Sequence, residues 1–480
     1  MTAKAERSIG SKPVHKVGWI EVMALSVAIM GPTGSMALNG SLTAATDGTA
    51  TALAFVGATV VIALVAYSFV EFARKYAHAG SVYAFTGRSF GARFGFVSAW
   101  VMLFAYLMFA FAVAVLSANF LEAALSLADV QIPWIIPAVA LFLIMWFLAH
   151  RSVKLSTRTT LVIEGVSILV ILILSAIILA RGGAHGLSAT PFKVGTGGFS
   201  KVALASVFGF LSFAAFEGAA TLGEETHEPK RAIPRALAAA VLVTGVFYIF
   251  CIWVQAEGFG TTNAGVNAFA SSAAPLSDLA KSYVGTAMAL VIDLGAMVSA
   301  FASGVGLFAA ASRMLYALGR DGFGPPALAR IHPRFGSPYI ALSAVVVPGI
   351  AVALILFVAG QSAAAVFGYL GVLGVLALLV VYVATQVAAI RLFGRERLWR
   401  PWQFVIPVLA IVSLGYTIYA NVYPVPSAPV RYFPYIVLAW IVLGIAIALA
   451  LPGLAARIGR SFADEGVTEP AETVLCRYAS

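Results

Sequence analysis

The sequence predicts an all-α, polytopic membrane protein with twelve transmembrane helices. Three observations carry that prediction. Hydrophobic residues make up 61% of the 480-residue chain and charged residues only 10%, against about 25% charged in an average soluble domain. Twelve apolar runs are each long enough to cross about 30 Å of hydrocarbon. The lysines and arginines between those runs alternate from one side to the other, as an even number of crossings requires.

In order, the expected spans cover 17–38, 52–71, 94–117, 133–149, 160–180, 202–222, 237–256, 283–311, 339–359, 364–390, 403–420 and 433–451. They divide into a polar tail (1–16), a transmembrane domain (17–457) and a second polar tail (458–480). Within the domain, the first five spans form one half (about 17–180) and the next five another (about 202–390). Spans eleven and twelve (403–451) show little beyond hydrophobicity and a belt of Tyr423, Tyr432, Tyr435 and Trp440, so they are expected to be peripheral. The first apolar run is too long for the core of a signal peptide, and more spans follow it.

Orientation follows from charge. With the N-terminus inside, 25 of the 30 Lys and Arg residues fall on the inner side, leaving only Arg181, Lys193, Lys201, Lys281 and Arg431 outside. Both termini are therefore expected in the cytoplasm. The net charge of +10 reads as this topology signal and not as nucleic-acid binding. Cys251 and Cys476 form no disulfide framework and are expected to be unpaired thiols.

Two spans are interrupted. The first carries Gly31-Pro32-Thr33-Gly34-Ser35, where proline removes a helical donor and glycine loosens the backbone. The sixth breaks around Phe213 to Gly218 and holds a lone carboxylate, Glu217. An ionised carboxylate in hydrocarbon must face a partner or a wet cavity. Irregular backbone at that depth is tolerated only where protein or a cavity surrounds it. Breaks at matching positions of two five-span halves point to an inverted-repeat transporter. Two other acids lie in spans. Asp293 sits deep in the eighth and is a candidate for ion or proton coupling. Glu164 sits in the fifth, near its cytoplasmic end, where an interfacial role competes with coupling. Ser299 and Ser303 in span eight are candidate ion-coordinating hydroxyls, although serines in membrane helices also bond neighbouring backbone.

Three stretches carry a family resemblance. After the sixth span the chain reads Phe216-Glu217, Gly223-Glu224-Glu225, Pro229-Lys230-Arg231 and Ile233-Pro234-Arg235-Ala236. Between spans two and three it reads Ala79-Gly80-Ser81-Val82-Tyr83, then Arg88. After span eight come Ser312-Arg313, Tyr316-Ala317 and Arg320-Asp321-Gly322. These resemble amino acid–polyamine–organocation (APC) permeases over nearly the whole chain. Glu228 stands where that family has Asn, Ser81 replaces a glycine, and Pro32 intrudes into the first break. The resemblance implies a LeuT-like five-plus-five inverted repeat with two peripheral helices, and a substrate that is an amino acid or related amine. Freed N–H groups from Gly31 through Thr33 and Gly34 to Ser35 would suit a carboxylate. Carbonyls near Ile29, Met30, Phe213 and Ala214 would suit an ammonium. Phe213 and Phe216 would pack on the side chain and gate it, and Glu217 beside Gly218 would orient the open segment or titrate. Gly80, Tyr83, Arg88, Glu224, Glu225, Arg313, Arg320 and Asp321 would form the cytoplasmic gate and loops.

No P-loop, nucleophile elbow or metal-spaced His/Cys cluster is present. The expectation is accordingly a transporter and not an enzyme, with no cofactor or metal and no nucleic-acid partner. Its partners would be the substrate, the lipid bilayer and a coupling ion, a proton, with the chain in the plasma membrane. A polyamine or amine exchanger of the same fold, a channel and a non-transporting sensor are the alternatives. No residue pattern sets an oligomeric state.

Overall fold

A computed structural model describes residues 18–75, 82–151, 157–195, 197–217 and 226–464, with the side chains of 157–160 and 462–464 excepted. Among the described residues the chain forms seventeen α-helices, linked by turns and short 3-10 segments. The first half holds α1 (Trp19–Met30), α2 (Pro32–Asp47), α3 (Thr51–Lys75), α4 (Val82–Phe90), α5 (Ala92–Ser126), α6 (Ile135–His150) and α7 (Thr157–Ala180). The second holds α8 (Gly198–Ser212), α9 (Pro229–Phe259), α10 (Asn263–Ser271), α11 (Pro275–Tyr283), α12 (Thr286–Arg320), α13 (Tyr339–Val358) and α14 (Ala363–Arg395). Then follow α15 (Val405–Ala420), α16 (Phe433–Ala450) and α17 (Pro452–Asp464).

Nine of the described helices are each long and apolar enough to cross a membrane, and α1 with α2, bent by 41° at their junction, makes ten when the pair is counted as one span. The shorter apolar helices α6 and α8 occupy the places of the fourth and sixth expected spans. At about 1.5 Å per residue, the sixteen residues of α6 rise only about 24 Å. The outer faces are apolar, as lipid requires: Val162, Val166 and Leu169 on α7, and Val347 and Ile355 on α13, are all exposed.

The most enclosed helices are α5 and α14. They pack on each other, and α5 also packs on α12. Helices at corresponding places in the two expected halves meet: α2 packs on α8, α3 on α9, α5 on α12 and α6 on α13. The final span is held more firmly than its belt-like sequence implies. Trp440 donates to the carbonyl of Trp100 (2.9 Å), Trp100 donates back to the carbonyl of Trp440 (3.0 Å), and the rings stack at 4.5 Å. Gly444 makes room for this clamp, since a Cβ there would lie 2.4 Å from Trp100 Cδ1.

Five elements differ from the sequence reading. The stretch after Ser81 is the helix α4, with Val82, Ala84, Phe85 and Thr86 buried and Phe85 stacked on Phe72 at 4.1 Å. Two short helices, α10 and α11, lie between spans seven and eight, the first capped by the Thr262 side chain accepting from Gly265 N–H. Span eight does not end at residue 311. Met314, Ala317 and Leu318 continue its buried stripe, and the helix stops only near Gly322, whose φ is +94°. Finally, α17 runs past residue 457, where the expected domain ends, because Ala455 and Ile458 bury one face against α5 and α4.

Candidate functional site

The first break is built by two residues. Gly31 adopts φ +58° and ψ +57°, which ends α1, and Pro32 begins α2 without an N–H to give. Three groups then fasten the break. Thr33 N–H donates to Glu164 Oε1 (2.8 Å) and Gly34 N–H to Ser299 Oγ (3.3 Å). One helical turn along α12, Ser303 Oγ donates to the carbonyl of Ile29 (3.4 Å). The contact is close: a Cβ on Gly31 would stand 2.6 Å from Ser303 Oγ.

The second break begins after Ser212. Ala215 sits at φ +66°, and Phe216 and Glu217 adopt 3-10 geometry. Ser212 is tied on both sides, its carbonyl accepting from Tyr248 OH (2.9 Å) and its hydroxyl from Asn39 Nδ2 (2.7 Å). The first span reaches the second break directly, since Ser26 Oγ on α1 donates to the carbonyl of Phe216 (2.9 Å). Between them lies a cavity of about 40 Å³. Ile29, Met30, Gly31, Gly34 and Ser35 line it from the first break, and Leu211, Ala214 and Ala215 from the second. Phe109, Val113 and Leu116 of α5, Ala300, Ser303 and Leu307 of α12, and Phe367 of α14 complete the wall.

The expected site residues divide accordingly. Met30, Gly31, Gly34, Ser35, Ala214 and Ser303 meet at the cavity, with Thr33, Glu164 and Ser299 directly behind it. Glu164 is only 5% exposed and faces the break, so it is not an interfacial side chain. Phe213 and Phe216 are fully buried but point away from the cavity, Phe213 against Tyr248 (5.1 Å) and Phe216 against Phe69 (5.4 Å) and Tyr382 (5.8 Å). Their rings wedge the break between helices, and neither lines the cavity. Glu217, 4% exposed, accepts from Tyr382 OH at 3.0 Å, and its other oxygen is buried with no hydrogen-bond partner among the described residues. Asp293 lies apart: six residues from Ser299, or about 9 Å along α12, it accepts from Ser277 Oγ of α11 at 2.6 Å. Tyr83 and Arg88 lie on α4, and Arg313 is exposed on α12. Arg320 pairs with Asp321 (3.2 Å) and reaches Ser461 of α17 (2.5 Å). Gly80, Gly218, Glu224 and Glu225 lie outside the described residues.

The amino acid permease family matches the chain over residues 17–447. The chain belongs to that family. The permease is similar to the branched-chain amino acid permease BcaP of Bacillus subtilis, at 26% identity over 348 residues, 68% of this chain and 72% of that protein. It is also similar to the methylthioribose transporter of the same organism, at 26% over 69% of this chain and 73% of that protein. A third relative is the low-affinity putrescine importer PlaP of Escherichia coli K12, at 26% over 70% and 74%. The permease is thus a multi-pass membrane transporter and not an enzyme.

Sequence reasoning missed the α5 and α14 walls of the permease's cavity. Phe109, Val113, Leu116 and Phe367 sit in helices that are apolar all round, where no periodicity singles out one face. It also missed Tyr382 and Ser277, the partners of the two buried acids. Tyr382 is a hydroxyl in an apolar run and Ser277 one serine in a polar segment beside Asp278, and neither pattern names a partner.

Proposed function

We propose that this permease is a secondary active transporter that moves an amino acid or related organic amine by alternating access. The observation that carries this reading is the union of the two broken spans: two hydrogen bonds join them and one cavity lies between them. Half-helix ends of opposite polarity and irregular backbone, enclosed by protein, are what a small zwitterion or cation needs in place of water. The packing of counterpart helices across the halves supports a LeuT-like five-plus-five repeat, with α6 and α8 counted as spans to make twelve. Rocking one half against the other would open the cavity to each side in turn.

Transport would be driven by a proton gradient, as symport or exchange, with Asp293 as the buried acid that carries the proton and Glu217 holding the open segment. Ser299, Ser303 and Glu164 would couple ion occupancy to the first break. The alternation of Lys and Arg supports both termini in the cytoplasm of a plasma-membrane protein. Exchange of polyamines is the second reading, favoured by the putrescine importer among the relatives. Uptake of radiolabelled amino acids and amines into proteoliposomes, with and without an imposed pH gradient, tests substrate and coupling together. Saturable, pH-driven accumulation of one substrate class supports the proposal. Equal flux for all compounds without saturation would indicate a channel.

A further inference from the structure

We infer that Glu164 sets the selectivity of the site, disfavouring substrates with a carboxylate and leaving it to organic amines that lack one. The inference rests on the transporter reading above and narrows its substrate class. It starts from hydrogen-bond capacity. A backbone N–H has one proton to give, whereas a carbonyl oxygen has two lone pairs. Among the described residues that border the cavity, the start of α2 is where helix polarity would welcome an anion, and its backbone donors are spent. Pro32 has none, Thr33 gives its proton to Glu164, Gly34 to Ser299 and Ser35 to the carbonyl of Gly31 (3.0 Å). The protein thus supplies the anion itself, from a buried side chain 131 residues away on α7. A substrate carboxylate would have to evict Glu164 or lie beside its carboxyl group with no backbone donor left, only the Thr33 hydroxyl, which has no hydrogen-bond partner among the described residues.

The opposite charge meets no such obstacle. The last turns of α1 (Ile29, Met30) and the end of α8 (Leu211, Ala214) both border the cavity, and helix C-termini are negative ends. The Ile29 carbonyl accepts from Ser303, yet keeps a second lone pair for an ammonium. Beyond these ends the wall is hydrocarbon, with Phe109, Val113 and Phe367. The arrangement fits a primary ammonium on an apolar body.

Pairs of compounds that differ only by a carboxylate test this on the full-length protein: 3-methylbutylamine with leucine, 2-phenylethylamine with phenylalanine, and putrescine with ornithine. Binding is read as ligand-induced thermal stabilisation of purified protein and as inhibition of counterflow in proteoliposomes. In the wild type, the amine of at least one pair should half-saturate at about tenfold lower concentration than its acid, the worth of roughly one charge-assisted hydrogen bond. Glu164→Ala frees the Thr33 N–H, so the acid of that pair should bind more tightly than to wild type and the ratio should fall to within about threefold. Glu164→Gln keeps an acceptor for Thr33 and should retain a preference for the amine. A purely structural Glu164 would weaken both members together and never improve the acid. Tighter wild-type binding of the acid in every pair that binds overturns the inference, as does unchanged acid affinity in a Glu164→Ala protein that elutes as a single symmetric peak. If that variant does not fold, the wild-type ratios and Glu164→Gln decide. Silence of both members of every pair would instead overturn the transporter reading itself.

Discussion

Replacing Gly31 by alanine tests how tightly the first break is built. The left-handed conformation at φ +58° costs an L-residue about 1–2 kcal/mol. The new Cβ would also stand 2.6 Å from Ser303 Oγ, so the hydroxyl must swing away and give up its bond to Ile29. A typical hydrogen bond contributes about 1 kcal/mol, which brings the total to roughly 2–3 kcal/mol. Ser299 Oγ, at 3.5 Å from the new atom, stays in ordinary contact and adds nothing. The two contributions separate in a cycle. In a Ser303→Ala background the steric share disappears, and Gly31→Ala should cost only the left-handed share. The assay is the loss of folded protein on heating in detergent, with half-saturation for substrate measured in parallel. Wild-type stability in Gly31→Ala, or an undiminished cost in the Ser303→Ala background, would refute the reasoning.

Other expectations follow from the buried acids and the topology. Tyr382→Phe removes the hydroxyl that Glu217 Oε2 accepts from, which should cost about 1.5–3 kcal/mol of stability if the carboxylate is charged. Glu217→Gln keeps an acceptor for Tyr382 and should cost less, with exchange and pH-driven accumulation staying in step. Accumulation lost while exchange persists in Glu217→Gln would assign the proton to that residue instead. Asp293→Asn retains the contact with Ser277 and should keep exchange while losing pH-driven accumulation. Full accumulation would remove Asp293 from the coupling mechanism. After replacement of Cys251 and Cys476, a cysteine at His185 should react with an impermeant thiol reagent on intact cells and one at Arg397 should not; external labelling of both would refute the orientation.

The two breaks were legible in the sequence to different degrees. Gly31-Pro32 announces itself, because few other residue pairs end one helix and start another so sharply. The second break contains no glycine or proline between Phe213 and Glu217. Its strained residue is Ala215, and only the lone acid and the motif that follows marked the place. Depth was harder still. Counting from the start of an apolar run put Glu164 at the membrane surface, but the bend between α1 and α2 brings Thr33 to it across α7. The direction of Phe213 and Phe216 depends on how α3, α9 and α14 surround the break, which no local pattern encodes. By contrast, α17 could have been found, since Leu454, Ala455 and Ile458 repeat at helical spacing among arginines.

Counterflow addresses the central claim most directly, that joined broken spans around one cavity serve alternating access. Proteoliposomes are loaded with unlabelled substrate, diluted into a trace of labelled substrate and sampled over time, with no ion gradient imposed. The account predicts transient accumulation of label above equilibrium that saturates with external substrate and disappears when the interior is empty. Label that enters at the same rate with or without internal substrate, and linearly with concentration, would contradict it.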